Sequence, residues 1–329
     1  MDIQALSIDT KATLLLIAHM GQPSDDAVEL LKPSEYRSLV NLLSDLDLRP
    51  GDLFDESNLE RLKCAGACNV QQMTNLLQRG LTLAMAYEKW SSQGIWVLGY
   101  SDLDYPAHYK EKLKTHAPPV LFGIGDKALL SAGGVSITGS RSADQQGIEF
   151  ARASAKSCAA HGVQVISGGA RGVDGEAMRA CIDDGGSVVG VLADSLARRA
   201  VSGECSAAIV NGSLVLISPF EPETGFFIYN AMARNKLIYT LADFALVVSA
   251  EDGKGGTWSG AKENLDKRWT PLFVRKDDTA PAGNMRLIEC GGRAITKIPS
   301  DIVDWMRQQI TMQAVSKDDL PSQGSLPLF

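Results

Sequence analysis

Residues 135–174 constrain this chain more than any other stretch. They open as Val-Ser-Ile-Thr-Gly-Ser-Arg and close as Val-Ile-Ser-Gly-Gly-Ala-Arg-Gly-Val-Asp, two short apolar runs that each break into a glycine-rich turn carrying one arginine. Between them Ile148, Ala151, Ala155, Cys158 and Ala159 recur at helical spacing. Strand, loop, helix, strand and loop make one βαβ unit, whose crossover is right-handed. Such a unit sets both loops at the carboxyl edge of a parallel sheet, where open α/β sheets bind ligands. Arg141 and Arg171 are therefore expected to face one crevice, beside backbone N–H groups that glycine leaves uncovered. That is the chemistry of an anion pocket, with phosphate as its guest.

The alternation continues along the chain. Strands are predicted at 135–138, 163–167, 187–192, 213–218, 244–249 and 271–275, with helices at 147–160, 174–184, 204–211, 227–242 and 258–268. This calls for an α/β fold: a Rossmann-like, doubly wound, mainly parallel sheet. A small all-helical domain precedes it, with helices expected over 13–20, 27–31, 33–46, 56–65 and 70–90 and Asn69 as the N-cap of the last. The expected division is a helical domain at 1–92, a bridging segment with two strands at 93–134, the Rossmann-like domain at 135–298, and a C-terminal helix and mobile tail at 299–329. Residues 286–289 and 293–296 read as small strands at the sheet edge.

Charge narrows the choice of partner. The net charge is −7, and residues 1–60 hold twelve Asp or Glu against four Lys or Arg. The chain is thus no cationic coat for nucleic acid, although a local basic pocket is compatible with it. The first domain suits a basic protein surface better than a polyanion. Residues 14–18 are too few to span a bilayer, and no basic n-region follows Met1, so a cytoplasmic protein with no membrane partner is expected. Cys64 and Cys68 can share a helix face, but no second ligand pair follows at zinc-finger spacing, so no metal is expected.

Three loops are placed at the carboxyl edge: Gly139-Ser140-Arg141; Ser167-Gly168-Gly169-Ala170-Arg171-Gly172; and Asp252-Gly253-Lys254-Gly255-Gly256-Thr257. A fourth element, Arg234-Asn235-Lys236, lies on a helix that turns Arg234 and Lys236 to different sides, so only one of them faces the crevice. Neither G-x-x-x-x-G-K-[ST] nor G-x-G-x-x-G occurs, which removes support for a P-loop ATPase and for a dinucleotide cofactor. The four histidines lie outside the loops, and no Ser-His-Asp set assembles.

These motifs, taken in order, resemble the DprA/Smf family of DNA-processing proteins. The patterns G-[ST]-R, S-G-x-A-[RK]-G-[IV]-D and R-N-[RK]-x-I are met by Gly139 to Arg141, Ser167 to Asp174 and Arg234 to Ile238, and the turn G-[ST]-x-x-[ST]-x-A is approached, one residue shorter, by Gly256 to Ala261, with Asp104-Tyr105-Pro106 and Pro118-Pro119-Val120-Leu121-Phe122 as the lead-in. The resemblance covers roughly residues 95–275. It implies a non-catalytic protein that binds single-stranded DNA along its phosphates, pairs as a homodimer and hands the strand to a RecA-type recombinase. Arg141 and Arg171 fall on positions lining the family's DNA pocket, and Lys236 on a third basic position. Two departures stand out. The turn after the strand at 187–192 reads Ala193-Asp194-Ser195-Leu196-Ala197-Arg198-Arg199 instead of a glycine turn with Tyr-Pro, which offers Arg198 and Arg199 as substitutes. About 30 residues after 300 are too few for the winged helix that many relatives carry. A divergent member of this kind points either to DNA processing and recombination or to phage and mobile-element defence with a genetically linked partner protein. Two other readings stay open: a nucleotide sensor or LOG-like phosphoribohydrolase, echoed by Gly255-Gly256-Thr257 and Glu263 at the wrong spacing, and an antitoxin-like interaction protein acting through the acidic helices.

Overall fold

The computed structural model of the protein describes residues 6–21, 29–67 and 69–318, the side chains of residues 204 and 313–318 excepted. Five helices come first: α1 (Ile8–Ile17), α2 (Pro33–Asp45), α3 (Glu56–Cys64), α4 (Val70–Leu77) and α5 (Gly80–Ser92). Nine strands follow: β1 (Trp96–Gly99), β2 (Val120–Ile124), β3 (Val135–Gly139), β4 (Val165–Ser167), β5 (Val188–Val191), β6 (Leu214–Ser218), β7 (Phe244–Ser249), β8 (Leu272–Arg275) and β9 (Arg293–Ile295). They form one sheet in the order β1-β2-β6-β5-β4-β3-β7-β8-β9. From β6 to β9 every pairing is parallel, and β1 and β2 extend the β6 edge as antiparallel strands. The chain winds from β3 outward through β4, β5 and β6, then returns to the other side of β3 with β7. The junction of β3 and β7 is therefore the topological switch point, where a crevice opens between diverging connections.

The remaining helices are α6 (Ala107–Leu113), α7 (Gln145–Ala160), α8 (Val173–Asp183), α9 (Leu196–Ala200), α10 (Gly203–Val210), α11 (Ile228–Leu241), α12 (Gly255–Lys267), α13 (Ala282–Glu289) and α14 (Ile302–Asp318). Alternate strand residues point to opposite faces of a sheet. Val135, Ile137, Val165, Val188, Leu214, Leu216, Leu246 and Val248 accordingly join one core with α7, α8 and the N-terminal helices. Ile166, Val189, Val191, Val215 and Ile217 join a second core with Leu237, Ile238 and Leu241 of α11 and Tyr109 and Leu113 of α6. Both faces are covered, as a parallel sheet requires.

The N-terminal helices are fastened to the sheet by polar contacts as well as by that core. Asp102, just after β1, accepts hydrogen bonds from Ser7 Oγ at 2.6 Å and Thr10 Oγ1 at 3.0 Å. Glu221, in the loop after β6, accepts from the backbone N–H groups of His19 and Met20 at 2.6 and 2.8 Å. Glu223 of the same loop pairs with Lys89 at 2.7 Å. No helix among the described residues is long and apolar enough to cross a membrane.

Local differences from the expected elements have local causes. The helix expected at 13–20 begins at Ile8, because Ser7 caps it by accepting from Thr10 N–H. The expected 27–31 helix lies partly outside the described residues, and 29–31 are not helical. Residues 70–90 form two helices broken at Gln78-Arg79, and Asn69 adopts a left-handed conformation (φ 69°) without a side-chain cap bond. Residues 286–289 belong to helix α13 and not to a strand, whereas 293–295 form β9. Cys68 and residues 319–329, the greater part of the expected mobile tail, fall outside the described residues, and 302–318 are helical.

Candidate nucleic-acid interface

A cavity of about 480 Å³ opens at the switch point. Its walls are the loop after β3 (Gly139, Ser140, Arg141, Ser142), the end of β7 and the start of α12 (Ser249 to Glu251, Lys254 to Thr257), and α11 with the residues before it (Phe226, Ile228, Met232, Asn235). Asp174 and Arg234 lie at the floor. Beside this cavity β3 slips register against β7 between Thr138 and Gly139. Such an irregularity re-aims the strand end, a recurrent device next to binding sites.

The first two loops are built against each other. At Gly172 the backbone has φ 80°, and a Cβ there would lie 2.5 Å from Ser140 O and 2.8 Å from Arg141 Cα. Only glycine allows this approach. Beneath both loops sits Asp174, whose carboxylate accepts from Gly139 N–H at 3.2 Å and is also engaged by the N–H groups of Gly168 and Ala170. One buried acid thus holds the N–H groups of two turns. Burial pushes its pKa up to about 6, against the opposing pull of Arg234 and those N–H donors.

Arg234 is 6% exposed. Its Nη1 donates to Val191 O, and its guanidinium and the Asp174 carboxylate flank the Cα of Gly168, where a side chain would collide with both. Burial pulls the guanidinium below its ordinary pKa, and Asp174 opposes that. Lys236 faces away, as helical geometry requires, and donates to His116 O at 3.3 Å. The structure therefore brings Arg234 to the floor of the cavity and leaves Lys236 outside it. Ser167 is fully buried, and its hydroxyl donates to Ile137 O at 2.7 Å, so it joins β4 to β3 beneath the surface.

The rim differs in character. Arg141 is exposed and stands over the Phe226 ring, 5.4 Å from its centroid. Arg171 is exposed on the abutting second loop, just outside the cavity lining, and Lys254 is exposed at the start of α12. None of the three forms an ion pair with a described residue. Gly168, Gly169 and Gly172 shape the second loop and do not line the cavity. Gly256 and Thr257 do line it, in the first turn of α12, a helix without a side-chain cap. By contrast Asp144 caps α7 by accepting from Gly147 N–H at 2.8 Å, so the free N–H groups that suit an anion lie on the third loop. Asn235 Nδ2 donates to Gly256 O at 3.0 Å and ties α11 to that loop. Arg199 Nη2 donates to Gly169 O at 2.9 Å, which sets α9 beside the second loop, and Arg198 is exposed next to it.

Sequence reasoning passed over three contributors: Asp174, Phe226 and Glu251. Asp174 ends the second motif, and the signal for it is an acid placed just after an arginine turn. Phe226 belongs to Phe226-Phe227-Ile228-Tyr229, an apolar run whose members are all exposed, with Phe227 and Tyr229 stacked at 5.4 Å. Among the described residues no three His, Cys, Asp or Glu side chains are grouped as a metal site would need.

Comparison with known proteins agrees with this architecture. The chain is 28% identical over 242 residues to the DNA processing protein DprA of Bacillus subtilis, covering 72% of this chain and 78% of that one. It is 29% identical over 197 residues to a putative DNA processing protein DprA of Mycobacterium tuberculosis, covering 58% of this chain and about half of that relative's length (50%). The structure superposes on DNA processing protein A of Streptococcus pneumoniae with a TM-score of 0.67 at 18% identity, covering 89% of this chain and 95% of that one. For DNA processing protein A of Helicobacter pylori the TM-score is 0.54 at 22% identity, over 66% and 96% of the two chains. These two structures share the fold. Residues 96–306 match the family described as DNA recombination-mediator protein A, and the chain belongs to that family.

Proposed function

We propose that the protein is a non-catalytic single-stranded DNA-binding protein of the DprA type, acting in DNA processing and recombination. The observation that carries this reading is the rim: Arg141, Arg171 and Lys254, exposed on three adjoining loops without an ion-pair partner among the described residues, beside an apolar aromatic wall. Guanidinium forks and open N–H groups suit phosphates. Exposed rings suit unpaired bases, because every base has a face on which to stack. The Helicobacter pylori relative, whose single-stranded DNA binding mode is the subject of its structure, supports the same reading. Homodimer formation and a recombinase partner are proposed from the family resemblance, and a genetically linked partner protein and service in phage or mobile-element defence from the chain's departures from the family pattern. A second reading, a nucleotide pocket, is favoured by the uncapped start of α12 at the cavity wall.

The test is a titration with labelled oligo-dT and with duplex at 50 and 200 mM salt, repeated with Arg141→Ala and Arg171→Ala. Three phosphate contacts give a salt slope of about −2, so affinity for oligo-dT should fall about fifteen-fold between the two concentrations. Duplex should bind more weakly, and each substitution should weaken the oligo-dT complex. Equal, weak binding by the wild type and both variants would overturn the proposal. Release of free base from nucleoside monophosphates would favour the second reading.

A further inference from the structure

The cavity carries one feature that phosphate binding does not explain. Glu251 lines its wall between the end of β7 and the basic third loop, exposed and without an ion-pair partner among the described residues. A carboxylate in a pocket for phosphates repels them, so the part of the ligand that meets it must be a hydrogen-bond donor. The backbone that carries it is held in place. Asn284 Oδ1 accepts from Ala250 N–H at 2.8 Å, Asn284 Nδ2 donates to Val248 O at 3.0 Å, and Gly283 is packed against the backbone of Ala250 and Glu251. Gly256 and Thr257, in the uncapped first turn of α12, line the same cavity. Phe226, Ile228 and Met232 supply an apolar wall. The cavity thus combines an apolar face, an unused two-oxygen acceptor and the uncapped first turn of α12, next to cations on the rim.

We infer that this cavity takes a single unstacked guanine base, selected by Glu251. Guanine is the base that offers two adjacent donors, N1–H and N2–H, to a carboxylate, and it carries an oxo group for a neighbouring N–H. Cytosine and adenine each offer one amino donor beside a ring acceptor, and thymine offers one N–H between two carbonyls. The side chain that accepts from base donors in the major groove is likewise Glu or Asp. The inference deepens the strand-binding reading and rests on it for the source of the base, because a free guanine nucleotide carries the same chemistry.

The experiment measures binding of the full chain to labelled dT oligonucleotides that contain one central dG, dI, dA or dC, and to dT alone, for wild type and Glu251→Gln. The expected result is binding of the dG oligonucleotide about tenfold tighter than dT alone, from one good bidentate contact. Deoxyinosine, which lacks the N2 amino group, should fall between them. Glu251→Gln should abolish the preference while binding dT at least as well as wild type, because it removes a negative charge. Equal affinity for all five oligonucleotides, or a preference for dG that survives in Glu251→Gln, would overturn the inference and leave strand binding intact. If no oligonucleotide binds, the strand reading fails, and titration with guanosine 5′-monophosphate decides the rest. Binding that Glu251→Gln abolishes would uphold the guanine pocket with a free nucleotide as its ligand, and no binding would overturn it.

Discussion

The floor and the rim of the crevice use the same side chain for opposite purposes. On the floor Arg234 is almost wholly buried, with Val191 O and the nearby Asp174 carboxylate as its surroundings. On the rim Arg141 is exposed to water, over an aromatic ring, with no ion-pair partner among the described residues. A buried guanidinium that has already given up its hydration is held by groups around it and is a strut. An exposed one has the freedom to exchange water for a phosphate. An arginine in a binding motif thus identifies the neighbourhood of the site, whereas its burial and partners decide whether it touches the ligand.

The sharpest break of this comparison is Arg234→Met. It takes the nearby cation from the buried Asp174 and leaves Val191 O without its donor, and an unsatisfied buried group of this kind costs about 3 kcal/mol of folding stability. Arg141→Ala should change stability by less than about 0.5 kcal/mol, as surface substitutions do. Denaturant unfolding of the two variants checks both statements, and similar losses would erase the distinction between floor and rim.

A titration sharpens it next. The Asp174 pKa rises from the ordinary 3.8 to about 6 on folding. Between those values the folded protein holds a proton that the unfolded chain has released. Lowering the pH through this window therefore favours the folded state, and stability from this group declines as pH rises from about 4 to about 6 and is level above. A rise of that size corresponds to roughly 2–3 kcal/mol. The stability of wild type minus that of Asp174→Asn, measured by denaturant from pH 4 to 7, should fall over that interval and then stay constant. A difference that is flat with pH would show that Asp174 titrates normally. Asn removes the titrating proton without removing the side chain, so other titrating groups cancel.

The contrast between floor and rim also marks how far the sequence could be read. The parallel sheet was legible because runs such as Leu214–Ser218 and Phe244–Ser249 are apolar on both faces and end in glycine or polar turns. The three loops and Arg141 followed from that, since strand ends fix loop positions. The division of labour between Arg234 and Arg141 did not, because the acid near Arg234 lies 60 positions earlier and only the folded sheet brings them together. Short helices were lost for a different reason: α6 buries only Tyr109 and Leu113, too little periodicity to read. In α13 the run Arg286-Leu287-Ile288-Glu289 reads like a strand. It is helical, with Asn284 and Leu287 turned inward on the face that meets the ends of β7 and β8.

The smallest and most discriminating test lies within the rim itself. Arg141 and Phe226 are in contact, so deleting either disturbs the same place, yet their contributions differ in kind. Arg141→Ala removes a phosphate contact and should reduce the magnitude of the salt slope for oligo-dT by about 0.7. Phe226→Ala removes a face for base stacking, worth about 1–3 kcal/mol per base, and should weaken binding while leaving the slope unchanged. Measuring affinity at four salt concentrations for both variants separates the two. If Phe226→Ala lowered the slope as Arg141→Ala does, the ring would be acting by holding Arg141 in place, and the apolar wall would lose its claim to a base.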